Sequence, residues 1–364
     1  MKKYYFFIGT TAELIKVFSV IKEFQDNSVD FKIISSGQNN IVNGEFCNFL
    51  NKQPDFVLSK GINKKTPLNL FFWFFKTLFF GIKNLKNEFA GLNKNETYLI
   101  VHGDTVSTLM GAIIAKIFRL KLVHIEAGLR SFNFFKPFPE EIDRVLTSNF
   151  VDIAFCPNEW ALKNLESKKS VKINTKYNTV VDSISMTLKL HSTGDIFEKI
   201  KDTNFFIFVL HRQENLLDYN LCKELIKTVL NNSNDLKCLF ILHELTRQAL
   251  NDFGLLDMIL KSENIICVDR LNYVDMIHVL NSCEFILGDG GSQQEECYYL
   301  GKPCCILRNE TERIEGIGEN AIISKNNFEI INNFIKEYKK YNRPKITFEE
   351  SPSKIIFNIL TNGK

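Results

Sequence analysis

Short apolar runs, each ending in a glycine or polar turn and each followed by a helical pattern, constrain this chain most. Tyr4–Ile8 runs into Gly9-Thr10-Thr11 and then a helix pattern with Leu14, Ile15, Val17, Phe18 and Ile21 on its apolar face. Phe31–Ser35, Tyr98–Val101, Leu122–Ile125 and Ile153–Cys156 continue the alternation. Phe205–Leu210, Cys238–Leu242, Ile265–Val268 and Phe285–Leu287 repeat it in the second half. Strands that are apolar on both faces belong inside a parallel sheet covered by helices. A chain of 364 residues is long enough for two such domains, each with its own core. We expect an N-terminal domain over 1–175, a C-terminal domain over 176–350 and a final helix within 351–364. Open parallel sheets bind ligands beyond the carboxyl ends of their strands. The residues just after each apolar run are therefore the ones to examine.

Composition removes several function classes. The formal net charge of +3 gives no basis for bulk nucleic-acid binding. The nine cysteines are scattered, without C-x-x-C or a Cys/His cluster at metal spacing. No metal is implied. Met1 leads straight into a strand, with no signal-peptide pattern. The expectation is a reduced, cytoplasmic protein with free and mostly buried thiols. Leu68–Ile82 is very apolar and aromatic but contains Asn69 and Lys76 and is too short to span a bilayer. It reads as a buried helix, a protein–protein interface or a peripheral membrane contact.

Four acidic residues at three sites stand out between Leu99 and Arg144. Asp104 follows a strand and the turn residue Gly103, and precedes a helix pattern with Leu109, Ile113, Ile114 and Ile117. Glu126 follows the next apolar run and precedes Gly128. Glu140 and Glu141 follow Pro139 and open a helix that carries Ile142, Val145 and Leu146. An acid after a strand is often only a helix cap or a solvated turn residue. Several in one βαβ unit suit proton transfer instead, because carboxylates sharing a crevice can be pushed to different pKa values and divide acid and base work.

The motifs H-G-D-T (102–105), H-I-E-A-G-L-R (124–130) and P-F-P-E-E-I-D-R (137–144) resemble those of the non-hydrolysing UDP-N-acetylglucosamine 2-epimerases. The resemblance extends from residue 9 to about 320. Glu13 and Lys16 match the family's first turn, His211-Arg212-x-Glu214-Asn215 matches a strand-end motif, and His243 matches a further histidine. Arg308-Asn309-Glu310-Thr311-Glu312-Arg313-Ile314-Glu315 matches R-x-x-T-E-R-P-E except at Ile314. The chain departs at Thr11, where the family usually has Arg, and at Ala12 in place of Pro. Thr cannot imitate a planar five-donor guanidinium. It also lacks the family's His-Arg after Gly37-Gln38, and has Asp289-Gly290-Gly291-Ser292 for Asp-Ser-Gly-Gly. Leu271 and Met276 fall where the family tends to have a polar and an aromatic residue near uracil.

The resemblance implies an α/β fold of GT-B type: two Rossmann-like domains with parallel sheets facing across a cleft. It implies C2 epimerisation of UDP-N-acetylglucosamine or a close UDP-sugar, by loss of UDP and its re-addition, without a cofactor. It assigns acid–base work to Asp104, Glu126, Glu140 and His211. Lys16 and Arg144 are implied to steady the diphosphate or orient the carboxylates. Arg212, His243, Gly290, Gly291, Ser292, Glu296 and Arg313 are implied in holding the UDP-sugar. The Gly9 turn and the glycine-rich turn at 290–291 each open a helix, whose free N–H groups suit an anion such as a diphosphate. Family members pair through N-terminal-domain helices, which favours a homodimer contact at 68–82. Two other readings fit the same fold: a GT-B glycosyltransferase, made plausible by Thr11, Leu271 and the altered 289–292 turn, and a non-catalytic sugar-nucleotide binding protein. A hydrolysing 2-epimerase is a nearer variant of the first reading.

Overall fold

The computed structural model describes residues 2–362 except 43, 62–66, 135–137, 193, 235 and 312. Pro137 and Glu312 of the motifs above therefore lie outside the described residues. The chain forms two compact units, one of residues up to Ser183 together with those from Glu349 on, the other of Ile184–Phe348. The first unit runs past the expected boundary at 175 because residues 179–183 are tied to helix Thr11–Asp26. Thr179 Oγ1 donates to the Lys16 carbonyl at 2.5 Å and Ser183 Oγ to the Ile15 carbonyl at 2.7 Å.

In the first unit the strands are β1 (Lys3–Ile8), β2 (Phe31–Ser35), β3 (Phe56–Val57), β4 (Thr97–His102), β5 (Lys121–Ile125), β6 (Ile153–Cys156) and β7 (Val171–Asn174). They form one parallel sheet in the order β3-β2-β1-β4-β5-β6-β7. The strand order reverses between β1 and β4, so the loops after these two strands diverge and leave a crevice there. Phe7, Leu99, Val101 and Leu122 fill the core on one side, with Met110 and Ile114 of helix Val106–Phe118 laid over them. Gly111 sits so close to Val101 and Phe7 that a Cβ would meet them at 2.7 and 2.9 Å. The final helix, Pro352–Asn362, belongs to this unit: Ser353 Oγ donates to Ser19 Oγ at 2.8 Å, and Lys2 and Tyr4 donate to the Leu360 carbonyl.

The second unit holds β8 (Phe205–Val209), β9 (Lys237–Leu242), β10 (Ile265–Asp269), β11 (Ile286–Gly288), β12 (Cys304–Ile306) and β13 (Ala321–Ile323). They too form a parallel sheet, ordered β10-β9-β8-β11-β12-β13, with its reversal between β8 and β11. Its core is aromatic, with Phe206 stacked on Phe285 at 4.8 Å and Phe208 against Phe240 at 4.6 Å. Strands β3, β7, β12 and β13, of two to four residues, are ones the sequence reading did not name.

Helix Pro67–Phe89 divides the alternatives for Leu68–Ile82. Trp73, Thr77, Leu85 and Phe89 are buried, spaced by four or eight residues along one side of the helix. Leu68, Phe71, Phe72, Phe75, Phe79 and Phe80 are exposed. Among the described residues no helix is long and apolar enough to cross a membrane. All nine cysteines are free, and only Cys267 is not fully buried.

Gly128 gives a direct test of this packing. Its φ is +88°, and a Cβ there would lie 2.1 Å from the Ala161 carbonyl oxygen. A left-handed penalty plus overpacking against backbone predicts that Gly128→Ala loses about 2–5 kcal/mol of stability. Urea melts measure this, and a loss below about 0.5 kcal/mol contradicts the packing described.

Candidate functional site

The loops after β1, β4 and β5 build a buried polar cluster in the first unit. Glu126, the residue after β5, sits in the left-handed region with φ +61°, a conformation that costs a non-glycine residue about 1–3 kcal/mol. That twist turns its side chain inward. Lys16, from the second turn of helix Thr11–Asp26, donates to both Glu126 oxygens at 2.8 and 2.9 Å. Both side chains are buried, and His102 Nε2 stands 2.9 Å from Glu126 Oε2. His124 is buried two residues before Glu126, and its Nε2 donates to the Gly103 carbonyl at 2.7 Å. Burial pushes the His124 imidazole down to about 4, so it is neutral near pH 7 and fixes the β4 turn as a plain donor.

Two amides of the Gly9 turn are taken up inside the protein. Glu13 turns back over them, accepting from the Gly9 and Thr10 N–H groups at 2.5 and 2.9 Å in a capping box. Thr105 and Thr108 hydroxyls also donate to Glu13. Glu13 is thus a carboxylate of the protein's own beside this helix start. Burial pushes that carboxyl up, against the opposing pull of the Thr105 hydroxyl and the Gly9 amide.

Asp104 is held by a different cation. Arg144 donates from Nε and Nη2 to Asp104 Oδ2 at 2.9 and 2.5 Å, and from Nη1 to Glu141 at 3.2 Å. Glu141, fully buried, also accepts from Arg130 Nε at 2.6 Å and from the Ser131 and Phe132 amides. These partners outweigh burial and hold the Glu141 carboxyl below the usual range. Helix Glu140–Ser148 thus buries Glu141, Asp143, Arg144 and Thr147, while Leu146 is exposed. The helix's apolar residues Ile142, Val145 and Leu146 are not its buried ones. Glu140, in the first turn, is partly buried. A small cavity here is lined by Asp104, His124, Glu126, Arg130, Arg144 and Lys168.

The second unit has its own cluster at the β8/β11 reversal. Asp289, after β11, is completely buried and accepts from the amides of His211 and Arg212 and from Asn215 Nδ2. His211 Nδ1 lies 2.9 Å from Asp289 Oδ1, and Arg212 Nε donates to the Asp289 carbonyl at 2.9 Å. Burial pushes the Asp289 carboxyl up, but the His211 ring and these amides prevail and hold it low. The His211 and His243 rings stack at 5.0 Å, and burial, followed by the charges of His211 and Arg270, pushes His243 down to about 4.

Gly290 and Gly291 open helix Gly291–Leu300, whose N-cap makes no side-chain hydrogen bond. A Cβ on Gly290 would sit 3.0 Å from the His211 ring. Ser292 is exposed on the first turn and Glu296 is buried one turn on. Arg313 is engaged inside the protein, donating from Nη1 to Glu295 at 2.8 Å. Gln294 ties the same segment down through the Arg313 and Glu315 carbonyls.

Glu141, Asp289, His124 and Glu295 all stand inside or beside quoted motifs and were given no role there. The signal for all four was a titratable residue directly beside an apolar or glycine-rich stretch. Such a residue is buried only with partners.

Two parallel-sheet Rossmann-like units with polar clusters at their strand-order reversals define a protein of GT-B type. Residues 22–351 match the family model described as UDP-N-acetylglucosamine 2-epimerase. The chain belongs to that family. It is 30% identical over 375 residues to the UDP-N-acetylglucosamine 2-epimerase of Methanococcus maripaludis, covering 98% of each chain. A structure of the Methanocaldococcus jannaschii UDP-GlcNAc 2-epimerase in complex with UDP-GlcNAc and UDP superposes with a TM-score of 0.82 at 28% identity, covering 99% of this chain and 100% of that one. The UDP-2,3-diacetamido-2,3-dideoxy-D-glucuronate 2-epimerase of Pseudomonas aeruginosa is 34% identical over 232 residues, 62% of this chain and 63% of that protein.

Removing one partner of a buried ion pair strands the other charge. Lys16→Met is expected to cost about 3–5 kcal/mol in urea melts at pH 7. A cost below about 1 kcal/mol would show that Glu126 does not depend on Lys16.

Proposed function

We propose that this protein interconverts UDP-N-acetylglucosamine and UDP-N-acetylmannosamine by inverting C2, supplying a precursor for cell-surface polysaccharide. The observation that carries this reading is the pair of separately clamped carboxylates, Glu126 on Lys16 and Asp104 on Arg144, at the carboxyl ends of adjacent strands. A glycosyltransferase needs one base for an acceptor hydroxyl. Inverting a C–H centre needs groups that take a proton from one face and return it to the other.

In the proposed path a carboxylate takes the C2 proton, the C–H electron pair becomes the C1=C2 double bond as the C1–O bond breaks, and UDP leaves with that bond's pair. UDP adds back to C1 as C2 is protonated from the opposite face. Asp104 is suited to proton exchange, because Arg144 holds Oδ2 while the side chain keeps 27% exposure. Glu126, with both oxygens on Lys16, is a fixed charge beside it. Glu140 and His211 complete the acid–base set. Lys16 and Arg144 orient carboxylates rather than the diphosphate. UDP is assigned to the second unit, with the phosphates at Gly290, Gly291 and Ser292 on an uncapped helix start and the ribose at Glu296. Arg212 and His243 line that loop. Arg313 acts through Glu295.

Incubation with UDP-N-acetylglucosamine, followed by anion-exchange separation, tests the reading: UDP-N-acetylmannosamine is expected. Free N-acetylmannosamine with UDP would place the chain in the hydrolysing class. No reaction, with UDP still binding, would contradict the substrate assignment. Asp104→Asn is expected to lower kcat by about 10²-fold or more while calorimetry finds UDP affinity unchanged. Unchanged turnover would remove Asp104 from the chemistry.

A second copy of the chain is the proposed cover for the exposed face of helix Pro67–Phe89. Six exposed Leu and Phe side chains on one helix exceed what an isolated soluble surface usually carries. The free, buried thiols fit a reducing cytoplasm. Light scattering is expected to give a dimer mass, and the double variant Phe72→Asp with Phe79→Asp a monomer. A monomeric wild type would contradict the interface.

A further inference from the structure

Asp143 is a buried acid that the reaction scheme above does not use. It lies one helical turn after Glu140 and directly before Arg144, on the buried face of helix Glu140–Ser148. It is 3% exposed, and its Oδ2 is buried without a hydrogen-bond partner. The cation beside it is directed elsewhere, since Arg144 gives Nε and Nη2 to Asp104 and Nη1 to Glu141. The charged groups that bear on Asp143 are Asp104 from the turn after β4, and Glu140 and Arg144 from its own helix. Helix Val106–Phe118, packed against this one, brings only Lys116, whose ammonium pairs with Asp152 at 3.1 Å. An unpartnered carboxylate in such a place is costly, and a protonated carboxyl is the stable form.

We propose that Asp143 is a positioning residue of this site: it holds a proton beside Asp104 and Glu140, and so keeps a further negative charge from competing for Arg144. This rests on the functional reading above. Burial, then the charges of Asp104 and Glu140, push its carboxyl up to about 8, with Arg144 pulling the other way. When Asp143 loses its proton to solvent, the new negative charge competes with Asp104 and Glu141 for Arg144, the hold on Asp104 loosens, and turnover falls as pH rises. Asn at 143 has the shape of the protonated acid but never ionises. A purely structural Asp143 would affect folding without moving this titration.

The test compares full-length wild type with Asp143→Asn by two readouts. Profiles of kcat from pH 6 to 10 are expected to show an alkaline decline centred near pH 8 in the wild type. In the variant that limb is expected to disappear or to move up by at least about one pH unit, a tenfold change in proton affinity. Carboxyl ¹³C NMR of aspartate-labelled protein needs no turnover. The resonance missing from Asp143→Asn is expected to titrate near pH 8, and the one missing from Asp104→Asn is expected to shift in that same range only when Asp143 is present. Identical alkaline limbs, or an Asp104 resonance indifferent to Asp143, would overturn the proposal. Absence of wild-type turnover would contradict the substrate reading instead, and the NMR titration would still decide the role of Asp143. Linkage gives a control for folding. An acid with a raised folded-state pKa contributes stability present at low pH and lost as pH rises through that value, so the wild type should weaken relative to Asp143→Asn towards pH 8. A change in stability with unmoved kcat profiles counts against the proposal. Should Asp143→Asn not fold, a wild-type kcat profile without a one-proton decline near pH 8 would overturn it.

Discussion

Inside the first unit the buried Glu126 carboxylate has Lys16, from the helix that follows β1, as its ion-pair partner. The two are separated by 110 residues and joined by hydrogen bonds of 2.8 and 2.9 Å. A buried carboxylate without that ammonium would be several kcal/mol out of balance. The backbone of Glu126 is strained as well, held left-handed at φ +61°. Strain and buried charge at one residue need the surrounding structure to impose them. Here the parallel pairing of β4 with β5, His124 on the Gly103 carbonyl and the close approach of Gly128 to Ala161 do so. The pair is a weak contributor to stability in itself. It fixes where a negative charge sits.

The second clamp works differently. Helix Glu140–Ser148 turns its acidic and basic residues inward and leaves Leu146 in solvent. Glu141 satisfies that inversion by gathering two arginines and two amides, and Arg144 carries the hold on to Asp104. Asp104 is therefore oriented through one oxygen while its side chain stays partly open. In the second unit Asp289 plays the part of Glu141: buried, and stapling the His211–Arg212 turn. Both units place a buried acid beside the loops that leave the strand-order reversal. Open α/β sheets expose their ligand sites at that position.

Much of this was legible because β-strand burial is local. The apolar runs gave the long strands, and the residues after them, Asp104, Glu126, His211 and His243, stand at the ends of β4, β5, β8 and β9. Partnership was harder to read, since it depends on the fold bringing distant residues together. At the Gly9 turn, two of the amides that an anion could use are taken by Glu13, from the helix that follows. Arg313 looked available to a ligand and is paired with Glu295. In helix Glu140–Ser148 the buried face carries ion pairs, where an apolar stripe normally marks it, so its inner face could not be read from hydrophobicity. The exposed aromatic face of Pro67–Phe89 was legible only as an excess of Phe, without its direction.

The central claim is that the clamped carboxylates move a proton at C2. The most direct test is proton NMR of UDP-N-acetylglucosamine with wild-type protein in D2O. The account predicts that each epimerised molecule carries deuterium at C2, so that the C2 proton signal disappears from the manno product as it forms. Product retaining its original C2 proton would contradict solvent-exchanging carboxylates and the whole assignment of Asp104 and Glu126.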